Sequence, residues 1–209
     1  MEFKSVKFPG ETLTYITPTW DNLNQLAFDI SKQILANGQK IDRIITLAKG
    51  GWPMTRSLVD FLEIQEVASI GVKFYGGINQ RLDKPEIYQD LPVSIIGENI
   101  LLFDDVADTG ESLLFVKDYL HSLGVEGITT ATLFYKPHAK IKPDYFGAET
   151  SAWIIFPYDM HCDGIHVLSK KWQEVGLPQS DIINRFQTLG FKQEWIEYFM
   201  SEAHIRQKA

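Results

Sequence analysis

Two neighbouring carboxylates, Asp104 and Asp105, follow an apolar run and precede a turn of small residues. Carboxylates repel a phosphate, but they suit ribose hydroxyls or a magnesium ion that keeps part of its water shell. The turn 107–112 ends where a helix is predicted to begin, so its backbone N–H groups can surround a phosphate at the positive end of the helix dipole. This stretch therefore offers a sugar or metal site and a phosphate site side by side.

The side chains of this turn agree with that interpretation. Thr109 and Ser112 supply hydroxyl groups, and Gly110 lets the backbone approach a ligand closely. An alternative is that the two aspartates only cap the helix that follows. A calcium-binding EF-hand is excluded because Val106 occupies a ligand position and no helical pattern precedes the loop, and no Walker-type GxxxxGK(S/T) sequence occurs.

Strand and helix patterns alternate along most of the sequence. Apolar residues at helical spacing predict an amphipathic helix between Thr19 and Gly38, and further helical patterns follow Lys49–Pro53 and the 107–112 turn. The predicted strands are 43–48, 67–74, 99–103, 128–135 and 152–156. This alternation predicts an α/β fold with a mostly parallel sheet flanked by helices, and a ligand site beyond the carboxyl ends of the strands.

Three segments lie outside this alternation. The polar stretch from Tyr75 to about Pro92 is a candidate lid loop, and His161–His166 is predicted to be a polar loop rather than a zinc or iron site. After Ser169 the apolar residues predict two short helices. We therefore predict a main domain over residues 1–168 and a helical C-terminal tail over residues 169–209.

Composition and charge narrow the class of protein. The chain has 209 residues, with 20 Lys and Arg against 27 Asp and Glu, giving a formal charge of −7. This acidic balance argues against binding to nucleic acid or to an anionic membrane, so any anionic ligand must be held locally. A single cysteine, Cys162, and the lack of any apolar run long enough for a membrane span or a signal peptide predict a cytoplasmic protein.

The stretch LLFDDVADTGES resembles the signature of the type I phosphoribosyltransferases, which use phosphoribosyl pyrophosphate (PRPP). That signature is an apolar strand, two acidic residues, two small or apolar residues, a variable position, and then Thr-Gly-x-Thr/Ser. The resemblance implies that the acidic pair binds the ribose 2′ and 3′ hydroxyls and that the turn binds the 5′-phosphate. The residues assigned in this way to PRPP are Asp104, Asp105, Ala107, Asp108, Thr109, Gly110, Glu111 and Ser112.

The resemblance extends to two further features of the site. In family members that act on 6-oxopurines, the variable position is an aspartate near purine N7, which implies that Asp108 is the catalytic residue. The sequence Lys49-Gly50-Gly51 is similar to the family's pyrophosphate loop. That loop contains an unusual cis peptide bond, expected here between Ala48 and Lys49.

Two later segments, Leu133–Pro137 and Trp153–Pro157, resemble the base-binding pair of the bacterial and archaeal xanthine/guanine-type enzymes. The resemblance assigns Lys136 to the purine O6 and the ring of Trp153 to the face of the base. It also implies that backbone carbonyls near Trp153 and Ile154 meet the two-position, where guanine, hypoxanthine and xanthine differ.

The resemblance further implies a magnesium cofactor and a lid, or hood, over the site. Asp104 and Asp105 are candidate Mg²⁺ ligands, and Asp159 is a candidate for a second magnesium site. Tyr75 and Arg81 are the lid candidates, although Phe74 replaces the serine that many relatives have at the entry to the lid.

Taken with the residues, the resemblance implies transfer of phosphoribose from PRPP to hypoxanthine, guanine or xanthine, releasing pyrophosphate and forming a nucleoside monophosphate in purine salvage. The implied partners are PRPP, a purine base and further copies of the chain in a homodimer or homotetramer. One alternative is a PRPP-sensing regulator without catalysis, which the retained Lys49-Gly50-Gly51 loop, Asp108 and the acidic charge disfavour. The other is an enzyme for another nucleobase, which Asp108 and the pair of Lys136 and Trp153 disfavour.

Overall fold

A computed structural model describes the backbone of residues 3–77 and 80–206 and the side chains of residues 3–73 and 85–201. Contacts within the chain group these residues into two compact units. Residues 21–150 form the first, which we call the central unit. The described parts of residues 1–20 and 151–209 form the second, which we call the flanking unit. The sequence-based division at residue 168 stays a prediction.

Strands and helices alternate through most of the chain. The strands are β1 Ser5–Lys7, β2 Thr14–Ile16, β3 Arg43–Ala48, β4 Val67–Gly77, β5 Gln80–Gln89, β6 Asn99–Ala107, β7 Gly127–Tyr135, β8 Tyr145–Glu149 and β9 Trp153–Ile154. The α-helices are α1 Trp20–Ala36, α2 Trp52–Leu62, α3 Glu111–Ser122, α4 Val167–Glu174, α5 Gln179–Thr188 and α6 Gln193–Arg206. Within residues 3–77 and 80–206, none of the helices has the length and apolar character needed to cross a bilayer.

Six strands of the central unit form one sheet in the order β5-β4-β3-β6-β7-β8. Every neighbouring pair is parallel except β4 and β5, which are antiparallel. The middle strands β3 and β6 are largely buried, as strands covered on both faces must be. Leu113, Val116 and Leu120 of helix α3 belong to the same hydrophobic core as buried residues of the sheet. The predicted α/β fold with a mostly parallel, helix-flanked sheet is confirmed.

The polar stretch that follows Tyr75 contains a strand, so the prediction of a continuous loop there is wrong. Strand β5 pairs with β4 at the edge of the sheet, where Nζ of Lys73 lies 3.2 Å from Oε2 of Glu86. An edge strand tolerates charged residues and proline because one side of its backbone has no partner strand. Its composition, including Pro85, therefore gave no strand pattern.

Two further differences concern strands near the predicted site. Strand β8 lies between the predicted strands 128–135 and 152–156 and was not itself predicted, because its five residues include Gly147 and Ala148 and form no clear strand pattern. Strand β6 continues beyond the predicted 99–103 and includes both Asp104 and Asp105. The acidic pair is thus held by strand backbone near the carboxyl end of β6, rather than by the turn.

The flanking unit is a small sheet packed with helices. Its strand order is β1-β2-β9, with β2 parallel to β9 and Tyr15 opposite Trp153. Buried residues from the N-terminal segment and from the helices share one core: Phe8, Tyr15, Trp172, Ile182, Phe186 and Ile196. The helical C-terminal tail is confirmed, but its described part, up to residue 206, has three α-helices instead of two. The segment predicted as a polar loop lies in a π-helical turn, Met160–His166, which leads directly into α4.

Candidate active site

The acidic pair lies in the middle of the central sheet, near the carboxyl end of β6. Asp105 is only 8% exposed, and Oδ1 of Asp104 accepts a hydrogen bond from the backbone N–H of Asp105 at 2.9 Å. Burial, together with the neighbouring charge of Asp105, raises the pKa of Asp104 well above its usual range. A bound cation or a ligand rich in hydroxyl groups would stabilise both carboxylates in this position.

Neither aspartate caps the helix that follows. The N-cap of α3 is Gly110, which has a left-handed backbone at φ 76° and no side-chain capping hydrogen bond. Nearby, Oγ1 of Thr109 accepts the backbone N–H of Glu111 at 3.4 Å. The alternative that Asp104 and Asp105 serve only as a helix cap is therefore wrong.

The predicted phosphate turn is braced by the segment that follows β7. The backbone N–H of Lys140 donates to the carbonyl of Thr109 at 2.8 Å, and Nζ of Lys140 lies 2.7 Å from Oε1 of Glu111. Ile141 packs so closely that a Cβ on Gly110 would lie 2.8 Å from its Cγ2 atom. Gly110 is thus required both by its positive φ and by this close packing.

The predicted pyrophosphate loop lies against the acidic pair. It connects β3 to α2, and the peptide bond between Ala48 and Lys49 is cis, as the resemblance implies. A Cβ on Gly50 would lie 2.5 Å from Oδ2 of Asp105. This packing needs glycine at position 50, and it brings the loop after β3 into direct contact with the carboxylate on β6.

Lys136 and Asp108 lie at the same edge of the sheet. The backbone N–H of Lys136 donates to the carbonyl of Ala107 at 3.0 Å, which ties the end of β7 to the end of β6. Lys136 is 7% exposed, so it is not an ordinary solvated lysine at a strand end. Burial lowers the pKa of Lys136, while the charge of Asp108 opposes that change.

His138 is a residue of this site that the sequence analysis missed. Its Nε2 atom lies 3.4 Å from Oδ1 of Asp108, the predicted catalytic residue. The signal available in the sequence was an ionisable side chain in the same loop as Lys136, two positions further on. That signal is weak without knowledge that the loop crosses next to Asp108.

Three predicted site residues belong to the flanking unit. Trp153 and Ile154 form β9, and the Trp153 side chain is partly exposed, so it is not simply a core residue. The carbonyl of Asp159 accepts backbone hydrogen bonds from Asp163 and Gly164, both at 3.1 Å. The roles of these three residues stay predictions.

The structure describes the two lid candidates through their backbones, which pair with each other. Tyr75 of β4 lies opposite Arg81 of β5 in the antiparallel register. The side chains of both residues lie outside the described part of the chain, and so does that of Phe74. Their contribution to a lid stays a prediction.

The acidic pair is suited to magnesium. Among the described residues, no group of three or more His, Cys, Asp and Glu side chains comes together as a metal site would require. Mg²⁺ needs fewer protein ligands, because it is commonly bound by one or two carboxylates together with substrate phosphates and water. Two adjacent carboxylates, one of them with a raised pKa, fit that pattern.

Comparison with known proteins identifies the family. Residues 19–164 match the phosphoribosyl transferase domain. A xanthine-guanine phosphoribosyltransferase of Idiomarina loihiensis is 27% identical over 153 residues, covering 72% of this chain and 91% of that protein. A hypoxanthine-guanine phosphoribosyltransferase of Streptococcus thermophilus is 26% identical over 99 residues, covering 47% of this chain and 55% of the relative.

A solved structure agrees with these matches. The purine phosphoribosyltransferase from Pyrococcus horikoshii is 31% identical and has a TM-score of 0.62, covering 69% of this chain and 93% of that one. The matched region includes the acidic pair, the phosphate turn and the glycine loop after β3. The chain therefore belongs to the type I phosphoribosyltransferases, a family of pentosyltransferase enzymes, and it resembles the members that act on 6-oxopurines.

Proposed function

We propose that this protein transfers phosphoribose from PRPP to a 6-oxopurine base, releasing pyrophosphate and forming a nucleoside monophosphate for purine salvage. The observation that supports this most directly is the contact between Asp105 and Gly50, which joins the candidate ribose site to the candidate pyrophosphate loop. Guanine is our first candidate base, because the names of the xanthine-guanine relative and of the hypoxanthine-guanine relative both include it. Hypoxanthine and xanthine are the next two.

Residues of the central unit would bind PRPP. In this proposal Asp104 and Asp105 bind the ribose hydroxyls and hold Mg²⁺, and the turn 107–112 binds the 5′-phosphate through backbone N–H groups and hydroxyls. Lys49 and the amides of the following glycines bind the pyrophosphate. Bound magnesium would neutralise charge that develops on the leaving pyrophosphate.

Proton transfer from the base is the task proposed for Asp108. As the bond between the anomeric carbon and pyrophosphate breaks, N9 of the purine attacks that carbon, and the proton on N7 moves to the Asp108 carboxylate. The Lys136 ammonium would donate a hydrogen bond to O6, which orients the base. General acid–base help of this kind is typically worth about 10² to 10⁴ in rate. Trp153 and Ile154 are proposed base contacts on the strength of the resemblance alone.

The test is pyrophosphate release with PRPP, Mg²⁺ and each of five nucleobases in turn: guanine, hypoxanthine, xanthine, adenine and uracil. We expect release with at least one 6-oxopurine and much slower release with adenine or uracil. Fast release with adenine or uracil alone would instead support an enzyme for another base. Tight PRPP binding with no release for any base would support the PRPP-sensing regulator.

A further inference from the structure

We propose that His138 is a second residue of the proton path, which accepts from Asp108 the proton that the purine N7 loses. The inference rests on the proposed function, because it concerns the same proton. It is carried by the contact between Nε2 of His138 and Oδ1 of Asp108, which are 3.4 Å apart. It assigns a chemical role to a residue outside the motif that carries the family resemblance.

The position of His138 suits this role. Its side chain is 62% exposed and that of Asp108 is 64% exposed, so both can exchange protons with water. The segment that carries His138 is fixed at both ends. The backbone N–H of Lys136 binds the carbonyl of Ala107, and that of Lys140 binds the carbonyl of Thr109. These two bonds flank Asp108 in sequence, so they hold the imidazole beside its carboxylate.

The proton balance needs no other reactant. The N7–H bond of the base breaks as an O–H bond forms on one oxygen of Asp108. That bond then breaks as an N–H bond forms at Nε2 of a neutral imidazole, which carries its own proton on Nδ1. The imidazolium finally loses the Nδ1 proton to water. An imidazole is a stronger base than a carboxylate by about two to three pKa units, so the second transfer is downhill.

The segments next to His138 and Asp108 carry further charged groups. Lys136 lies at the end of β7, and burial lowers its pKa. Lys140 and Glu111 form an ion pair with each other, so their charges largely compensate. Asp108 is the group that His138 contacts directly. Protonated His138 would therefore pair with Asp108 and weaken it as a base.

The direction of the pH effect follows from this arrangement. Imidazole changes charge between pH 5 and 8. A protonated imidazole at position 138 can no longer accept the proton, and its charge attracts the Asp108 carboxylate. The steady-state rate should therefore fall as this imidazole is protonated, with an acidic limb that depends on His138.

The experiment measures steady-state nucleotide formation, in which Asp108 must lose its proton in every cycle, from pH 5 to 8 with guanine, PRPP and Mg²⁺. We expect His138→Ala and His138→Gln each to lower the rate about tenfold at pH 7, with KM for PRPP and guanine changed less than twofold. The acidic limb should disappear in both, and added free imidazole should restore part of the rate of His138→Ala. The matched control is His121→Ala, a histidine in the last turn of α3, which should leave the profile unchanged.

A double substitution tests the pathway itself. In an Asp108→Asn background, which should already have lost most of its kcat, His138→Ala should have little further effect. The inference is overturned if His138→Gln keeps both the wild-type rate and the wild-type acidic limb, or if the effects of the two substitutions multiply. If the wild-type protein forms no nucleotide with any base, the proposed function fails first, and the two failures are thus distinguishable.

Discussion

Both units contain a partly buried carboxylate, Glu11 in the flanking unit and Asp104 in the central unit, but the surroundings of the two are opposite. In the flanking unit, Glu11 accepts hydrogen bonds from Nε1 of Trp172 at 2.6 Å and from Nζ of Lys171 at 2.8 Å. It also accepts hydrogen bonds from the Tyr15 hydroxyl and the Arg185 guanidinium. In the central unit, the neighbour of Asp104 is a second carboxylate, Asp105.

The pKa values of these groups move in opposite directions. Burial opposes ionisation of Glu11, but the hydrogen bonds from Lys171, Tyr15 and Trp172 outweigh it, so the pKa of Glu11 is lowered. For Asp104, burial and the charge of Asp105 act together and raise the pKa. A carboxylate surrounded by donors stabilises the fold, whereas a carboxylate beside another carboxylate is suited to binding a ligand that the fold does not supply.

The largest expected effect is on activity, from Asp104→Asn. Loss of one carboxylate of the pair should lower kcat/KM about a thousandfold, or about 4 kcal/mol, because the proposed ribose and metal contacts would both be weakened. The free energy of unfolding should stay the same or rise, since a buried like charge is removed. Steady-state kinetics and urea unfolding would measure both, with Asp118→Asn on the exposed face of α3 as control. A destabilised variant with normal activity would remove the contrast with Glu11.

For Glu11→Ala, by contrast, a loss of stability is expected. This change leaves Lys171 and Arg185 close together without their shared carboxylate, which should cost about 3 kcal/mol of unfolding free energy. Fluorescence of the buried Trp172 would report the unfolding of the flanking unit. The matched control is Glu174→Ala, an exposed carboxylate in α4, which should change stability by less than about 0.5 kcal/mol. An equal loss in both variants would show that the Glu11 contacts contribute nothing specific.

A smaller effect is expected where the glycine loop meets the acidic pair. The methyl group of Gly50→Ala would collide with the Asp105 carboxylate, which should cost about 2 kcal/mol of stability and weaken PRPP binding about tenfold. In the double variant Gly50→Ala/Asp105→Ala the stability should recover, but PRPP binding should not. Calorimetric titration with PRPP and Mg²⁺ would measure the binding. Recovery of both properties would mean that Asp105 has no part in the ligand site.

The smallest expected effect is on the pH dependence of stability. Because the folded-state pKa of Glu11 is lowered, its contribution is fully present above its usual value of 4.5 and is lost as the pH falls through the folded-state pKa. The contribution of Asp104 to stability changes with pH in the opposite direction. Because the pKa of Asp104 is raised, its protonation stabilises the folded protein. Glu11→Gln should therefore flatten the acid-side loss of stability below pH 4.5, as measured by Trp172 fluorescence. An unchanged profile would contradict the role of Glu11.

The parts of the site that could be predicted are those whose chemistry is local in the sequence. The acidic pair, the small-residue turn and the start of α3 follow one another directly, so one short segment carried the ribose and phosphate assignments. The presence of β3 and of the first part of β6 could be predicted for the same reason, because each contains a short run of apolar residues.

What could not be predicted depends on how distant segments meet. The contact of Asp105 with Gly50 arises from the pairing of β6 with β3, and that of His138 with Asp108 from the pairing of β6 with β7. Strands β1 and β2 have three residues each, too few for a period of two to be visible. Glu11 gave no signal either, since Lys171 is 160 positions further along the chain.

The parallel pairing of β2 with β9 has a consequence for synthesis on the ribosome. Residues 14–16 are translated before the central unit, but their partner strand is translated only after it. Until then Tyr15 and Ile16, which are buried in the finished protein, have no β9 to pair with. A nascent chain halted before residue 153 would thus present an open apolar strand edge, the kind of surface to which chaperones or other strands bind.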